Sequence, residues 1–364
     1  MNNRPPAVNS HSRHSRIVVD LDAIRHNYRF LKSTASDSKV VAVIKADAYG
    51  HGAIEVARAL PDADAFAVAT SMEALALRRE GIINKIIVLG GVVDAKEMED
   101  CIQHRLDPVI HQFWQIDLLA RAQRQQPIDV WVKFNSGMGR LGFQARQVGQ
   151  AIEQLAQLDG LGHIRLMTHL ASADDLQDNK TQQQIDQVVA LNLQQFEWGV
   201  ANSAATLGWP QSRLNWVRAG IALYGSDPLQ DQHCQPSLRP AMTFSSRVLA
   251  INELEKGQSV GYGGLYTCPE DQRIAVVAVG YADGYPRHLQ QGYVLINGQR
   301  AAVVGRVSMD MITVNVSGLK VQAGDEVILW GGELLAEDIA RRSETIAYEL
   351  FCHAGCHGKR EYLG

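Results

Sequence analysis

VVAVIKA at residues 40–46 is a short apolar run rich in β-branched residues, and its texture returns down the chain. AFAVAT (65–70), KIIVLGG (85–91), LDPVIHQ (106–112), DVWVKFN (129–135) and HIRLMTHL (163–170) repeat it, with weaker versions around Val200 and at LNWVRAGIALYG (214–225). Between most of them lies a stretch with helical spacing, such as Met72-Leu75-Ala76 or Val148-Ile152-Leu155. Strands apolar on both faces and alternating with helices predict βα units on a parallel sheet. About eight such units over roughly 200 residues fit a (β/α)8 TIM-like barrel better than an open sheet.

Outward from this repeat the texture changes on both sides. Residues 1–15 are polar, carry Pro5-Pro6 and lack periodicity, and are expected to be a disordered tail. A strand-like run, RIVV (16–19), precedes Asp22, a candidate N-cap for a helix with Ile24, Tyr28 and Leu31 on one face. Beyond Pro236 and Pro240 come short runs such as RVLAINEL, RIAVVAVGY, YVLING, RAAVVGRVSM, MITVNVS and DEVILWGG, separated by Gly, Asn and Asp. Asn297-Gly298 is a hairpin signal. The expected organisation is a barrel over residues 16–239 and a mainly β domain over 240–364.

The chain has 364 residues, 46% of them hydrophobic and 20% charged, enough to bury a large core and remain soluble. A net charge of −4 gives no reason to invoke nucleic acid or anionic lipid. Five scattered cysteines, Cys101, Cys234, Cys268, Cys352 and Cys356, suit reduced thiols rather than a disulfide framework. The first residues lack the apolar core of a secretory signal, and no apolar run approaches the ~20 residues of a membrane helix. A cytoplasmic location is expected by elimination. The frequent glutamines of 144–195 read as a solvated helix face.

A barrel of this kind carries its chemistry at the C-terminal ends of its strands. Lys45 ends the first apolar run. Alone it reads as a snorkelling lysine, yet a partly desolvated amine can form a Schiff base with an aldehyde. The fifth run ends in Lys133-Phe134-Asn135-Ser136-Gly137-Met138-Gly139-Arg140, where two glycines let the chain turn and present Arg140. The sixth ends at His169. Ala201-Asn202-Ser203-Ala204-Ala205 and Val217-Arg218-Ala219-Gly220-Ile221 then offer hydroxyl and N–H donors of the kind that cradle a phosphate. Each is weak alone; together they describe a site for an anionic, aldehyde-bearing cofactor.

Val43-Ile44-Lys45-Ala46-Asp47-Ala48-Tyr49-Gly50-His51-Gly52 resembles the cofactor-attachment segment of the alanine racemase family, and the likeness extends over nearly the whole chain. The resemblance implies pyridoxal 5'-phosphate bound through Lys45, with Tyr49, Ser203, Gly220 and Ile221 at its phosphate and Asn202 beside them. Arg218 resembles the arginine facing the pyridine nitrogen, which cannot readily give up a proton and leaves the ring a weaker electron sink. Racemisation needs a second base on the opposite face of the α-carbon. Val260-Gly261-Tyr262-Gly263 resembles the segment bearing it. By the same resemblance His169 bridges Arg218 and Tyr262 and favours the phenolate through nearby positive charge. Tyr262 reaches the site from the other subunit, implying a homodimer with composite active sites.

Gly280-Tyr281-Ala282-Asp283-Gly284-Tyr285 and Gly305-Arg306-Val307-Ser308-Met309-Asp310 are similar to further family segments. Met309 resembles a backbone donor to the substrate carboxylate, Asp310 stands beside it in support, and Tyr281 resembles a residue narrowing the entrance. A narrow gate favours alanine. Arg140 resembles a contact to the cofactor's phenolic oxygen and the substrate carboxylate. Lys133 resembles a lysine that is carbamylated in many members.

The C-terminal segment departs from the pattern. Tyr348-Glu349-Leu350-Phe351-Cys352 matches, whereas the run from His353 to Arg360 does not, and Cys356 stands where some members carry a phosphate-binding tyrosine. Gly199 replaces a histidine found in some members. Cys352-His353 and Cys356-His357 pack too closely to close a tetrahedron, so no metal is expected. The expected activity is interconversion of L- and D-alanine, for wall synthesis or for D-alanine breakdown. The alternatives are a broader-specificity racemase, a barrel-type amino-acid decarboxylase and a catalytically silent cofactor carrier.

Overall fold

A computed structural model of the chain describes residues 14–229, 237–354 and 360–364. Of the tail expected over 1–15, residues 1–13 lie outside them, as do the readings placed on Cys234, Cys356 and His357, whereas Ser15 is ordered and its Oγ donates to Asp283 Oδ1 (3.0 Å). The chain divides into two compact units. One holds the described residues within Met1–Asp22, Tyr49–Gly52 and Pro240–Gly364, the other those within Ala23–Ala48 and Ala53–Arg239.

The second unit is a closed barrel of eight parallel strands. Numbering strands from Arg16–Asp20 as β1, they are β2 (Lys39–Val43), β3 (Ala65–Val68), β4 (Ile86–Val88), β5 (Asp107–Ile110), β6 (Ile128–Lys133), β7 (Leu161–Met167), β8 (Trp198–Gly199) and β9 (Trp216–Ala219). Each coincides with one of the apolar runs. β9 pairs back onto β2, Lys39 beside Trp216, which closes the cylinder. The outer helices are amphipathic: in Leu21–Thr34, Ile24, Tyr28 and Leu31 are buried. Asp22 is not the cap of this helix but lies in its first turn, where a carboxylate favours the positive end of the helix dipole. In Ser71–Arg79 the buried face is Ser71, Ala74, Leu75 and Leu77, while Met72 points to solvent. The expected helix is there; its expected face was turned by one position.

Inside the barrel, period-two alternation stacks side chains in layers. At the N-terminal ends of the strands an alternating chain of charges forms the floor. Lys39 reaches Glu197 (3.3 Å), Glu197 meets Arg165 (2.6 Å), Arg165 meets Asp129 (2.9 Å), and Lys85 joins Asp129 (2.8 Å) to Asp107 (3.0 Å). Above it Trp131 and Trp216 meet edge to face at 5.6 Å, with the Arg165 guanidinium near both rings. Two residues further along the same strands stand Lys133 and Arg218. The floor is shut and the chemistry-bearing side chains are at the opposite end.

The first unit is an eight-stranded sheet built from β1, β10 (Met242–Leu254), β13 (Gln272–Val277), β14 (Tyr293–Ile296), β15 (Gln299–Val304), β16 (Ile312–Asn315), β17 (Glu326–Trp330) and β18 (Arg360–Leu363). A separate pair joins β11 (Ser259–Val260) to β12 (Tyr266–Thr267). Asn297 and Gly298 have φ of 51° and 73° and turn β14 into β15 as the hairpin signal requires. β1 pairs antiparallel with β10 and parallel with β18. The structure therefore differs from the expected span of 16–239: the opening strand belongs to the sheet, and the barrel starts after it.

Candidate active site

Lys45 follows β2 after one residue, Ile44, and opens a turn of unusual hand. Ala46, Asp47, Ala48 and Tyr49 all have φ between 51° and 54°, a left-handed turn without a glycine. Such residues cost about 1–2 kcal/mol each, so the segment is held by its surroundings rather than by its own preference. Ala48 N–H donates to Ile44 O (2.9 Å) and closes the turn. Asp47 Oδ1 accepts from Ala53 N (2.8 Å), and Glu73 Oε1 accepts from Ala46 N (2.7 Å). The other oxygen of Glu73 accepts from Ala69 N and Thr70 N and completes a capping box, so one carboxylate ties two rim loops together.

Arg218 is buried on β9 and held by main-chain oxygens. It donates to Gly199 O (2.5 Å), Thr168 O (2.6 Å) and Val200 O (3.3 Å). Burial lowers its pKa to about 10, so it stays protonated at neutral pH. A side chain at Gly199 would press on this arrangement, its Cβ 3.3 Å from Arg218 Nη1 and 3.2 Å from Trp131. Arg218 Nη2 also lies 3.4 Å from His169 Nδ1. A guanidinium only donates, so this nitrogen is the acceptor and Nε2 carries the hydrogen. Burial, then the charges of Arg218 and Lys133, lower the His169 pKa to about 3. His169 is thus a neutral donor, and the positive charge expected near it sits on Arg218.

Lys133 ends β6 and is 9% exposed. Burial first, then Arg218, Arg140 and Lys45, lower its pKa to about 8. The loop after it turns through Gly137 and Gly139, with φ of 136° and 70°, around Asn135 Oδ1, and presents Arg140 at the surface. Ser203 Oγ accepts from Gly220 N (2.8 Å) and Ala222 N (3.3 Å), leaving its own hydrogen to donate outward. The Gly220 N–H, expected to meet a phosphate directly, is taken by that hydroxyl. Ile221 follows in a buried 3-10 turn. Asn202 spends its amide on Ala205 N and Leu170 O and so holds the loop.

Sequence reasoning missed Gln184 and Glu73. Gln184 falls among the glutamines that read as a solvated face, yet it is buried and its side chain binds Ser136 Oγ, His169 O and Ala171 N. Nothing in the sequence separates it from its exposed neighbours. The signal for Glu73 was present: Thr70-Ser71-Met72-Glu73 has capping-box spacing.

In the sheet unit, Tyr262 is 70% exposed in a turn flanked by Gly261 and Gly263, both at φ 73°. Tyr281 N donates to Ser308 O and Ala282 N to Met309 O, stitching two loops together and setting the exposed Tyr281 and Met309 side by side, with Asp310 next in chain. A Cβ on Gly280 would stand 2.2 Å from Met309 O, so only glycine allows this approach. Val260 O lies 3.0 Å from the position of a Cβ on Gly305, which brings the Tyr262 loop to the same edge. The buried Tyr49 ring packs on Tyr348 at 5.7 Å, and burial raises its pKa well above the usual range.

A barrel mouth that gathers Lys45, Lys133, Arg140 and Arg218 belongs to a barrel enzyme for an anionic small molecule. Comparison with known proteins names the group. The family models "Alanine racemase, N-terminal domain" and "Alanine racemase, C-terminal domain" match residues 19–228 and 241–362. The alanine racemase of Halorhodospira halophila is 44% identical over 356 residues, covering 96% of this chain and 98% of that protein. A crystal structure of biosynthetic alanine racemase from Pseudomonas aeruginosa superposes with a TM-score of 0.93 at 40% identity, covering 97% of this chain and all of that one. Alanine racemase from Bartonella henselae with covalently bound pyridoxal phosphate superposes with a TM-score of 0.87 at 28% identity, covering 96% and 99%. The chain belongs to the alanine racemase family, whose members are pyridoxal-phosphate-dependent isomerases.

Proposed function

We propose that this protein interconverts L-alanine and D-alanine in the cytoplasm as a homodimer, with pyridoxal phosphate held at the barrel mouth. Among the described residues no helix is long and apolar enough to cross a membrane. The observation that carries the reading is the rim itself: an amine, Lys45, on a braced turn beside an arginine fixed by three main-chain oxygens. The residues fit the cofactor. Lys45 supplies the amine, the outward Ser203 hydroxyl and the Ile221 N–H suit a phosphate, and the neutral Tyr49 phenol is a further donor. Asn202 and Gly220 act through the loop and through Ser203.

When bound, the cofactor supplies an aldehyde for an amine and a ring that draws electrons from the substrate α-carbon. Arg218 would hold the ring nitrogen without protonating it, because a guanidinium fixed at about 10 keeps its hydrogens at neutral pH. Arg140 and the Met309 N–H of the partner subunit would hold the substrate carboxylate, with Asp310 supporting and Tyr281 narrowing the entrance. Lys45 moves a proton on one face of the α-carbon and Tyr262 of the partner subunit on the other. His169, a neutral Nε2–H donor backed by Arg218, stabilises the Tyr262 phenolate. Lys133 carries a carbamate that turns Arg140, exchanging a buried cation among cations for an anion.

The test is a chiral assay of purified protein against both enantiomers of alanine. Lys45→Ala should abolish both the cofactor's visible absorbance and turnover. Tyr262→Phe should retain the absorbance and lose most exchange in one direction; unchanged rates both ways would remove Tyr262 from the mechanism. A larger amino acid turned over faster than alanine would replace alanine as substrate.

A further inference from the structure

β5 and β6 run parallel with Val109 beside Trp131 and Ile110 beside Val132. The next step of that register sets His111 beside Lys133, and alternation puts both on the inward face with Trp131. His111 is buried, and its Nε2 lies 3.0 Å from Gly90 O. Gln115 Nε2, an amide donor, also stands 3.2 Å from this ring nitrogen, but the Gly90 carbonyl is closer and only accepts, so His111 Nε2 is assigned the hydrogen. Gln115 buttresses the ring: its Oε1 accepts from His111 N (2.8 Å) and Gln112 N (3.1 Å), and its Nε2 donates to Val92 O (2.9 Å). Gly91, at φ 74°, permits the close approach, since a Cβ there would stand 2.7 Å from Gln115 Nε2 and 3.1 Å from His111 Nε2.

The consequence concerns the other nitrogen. Burial first, and then the Lys133 charge, lower the His111 pKa against the opposing pull of the Gly90 contact and favour the neutral ring. With the hydrogen on Nε2, Nδ1 is an acceptor. It is buried and has no hydrogen-bond partner among the described residues. An unmet buried acceptor has given up water for nothing, so one with no use is disfavoured. Its neighbour on the next strand is the buried Lys133 amine, which makes no ion pair with any described residue and is pressed by other cations.

We propose that His111 is a positioning residue for Lys133, its Nδ1 accepting the side-chain N–H of Lys133 once that amine has taken up CO2. The inference rests on the carbamate reading given above. In that step the neutral amine attacks the carbon of CO2 and an N–C bond forms. One C=O pair moves onto oxygen, and the nitrogen releases one proton to water. The product is a planar group with a single N–H. Holding that N–H fixes the plane and turns the carboxylate away from His111, toward Arg140.

The experiment uses holoenzyme in 13C-labelled bicarbonate, with the carbamate carbon read by NMR and assigned by its loss in Lys133→Ala. His111→Asn sets an amide oxygen near the place of Nδ1, whereas His111→Gln extends to the place of Nε2. Asn should keep CO2 uptake within about twofold of the parent, and Gln should weaken it about threefold to tenfold, the change expected for one lost buried hydrogen bond. Absence of a Lys133-dependent signal in the parent protein overturns the carbamate reading and the inference with it. A signal present in the parent and equal in the two variants leaves the carbamate standing and overturns the role of His111. A 15N spectrum of the parent gives a second reading that needs no variant: an Nδ1–H tautomer of His111 overturns the inference.

Discussion

Removal of the Glu73 carboxylate tests whether the left-handed turn is braced from outside. Glu73→Ala deletes the acceptor for Ala46 N, Ala69 N and Thr70 N and breaks the capping box. The lost cap is worth about 1 kcal/mol. Two further hydrogen bonds to a partly exposed carboxylate add about 1 kcal/mol each. The sum is a loss of about 3 kcal/mol, or roughly 6–12 °C in Tm for a domain of 150–250 residues. The turn itself carries about 4–8 kcal/mol of backbone strain, so with its brace gone Lys45 should move, and affinity for pyridoxal phosphate should fall with stability. Urea unfolding and an absorbance titration with the cofactor measure the two effects. Ala46→Gly in the Glu73→Ala background removes strain at φ 51° and should return about 0.5–1 kcal/mol of stability without returning cofactor affinity. A Glu73→Ala protein that loses only the cap's share of stability and binds the cofactor unchanged would refute the reasoning.

Further outcomes are expected elsewhere. Arg218→Gln leaves buried main-chain oxygens of Thr168, Gly199 and Val200 without their donor and should cost about 3 kcal/mol in chemical denaturation; a loss under about 1 kcal/mol would mean those oxygens find other donors. Unmodified Lys133 has a folded pKa of about 8 against 10.5 in the unfolded chain, so it penalises the fold in full below pH 8 and the penalty lifts as pH rises from 8 to 10.5. Cofactor-free protein in CO2-free buffer should therefore gain up to about 3 kcal/mol across that window, and Lys133→Met should abolish the rise. Gly280→Ala forces a Cβ against Met309 O and should raise KM for alanine through the displaced loop, with barrel stability unchanged; an unchanged KM would separate Met309 from substrate binding.

The barrel was legible because its strands are buried on both faces, and a continuous run such as VVAVIKA has no other economical use. The hairpin at Asn297-Gly298 was legible because few residue pairs accept two positive φ angles. What stayed hidden depended on partners distant in sequence. RIVV reads as a strand, but nothing local says that it pairs with β10, more than two hundred residues away. Ala46-Asp47-Ala48-Tyr49 carries no glycine, so its left-handed path cannot be read from propensity, which argues against it. Lys45, His169 and Arg218 stand at or just beyond the ends of barrel strands, and Arg140 in the loop after β6. Gln184, Gln115 and His111 did not stand out, because a buried amide or imidazole becomes visible only when its partners are in place.

The charges at the closed end of the barrel form a string in which the sign reverses at each bead, three of each. Such a string cannot lose one member quietly, since reversing any sign sets like against like on one side or both. Relatives should therefore differ here by paired exchanges, a cation and its neighbouring acid changing together, while lone changes are weeded out. An alignment of relatives should show that pairing at the blind end of the cylinder as correlated substitutions, separate from any pattern at the catalytic end.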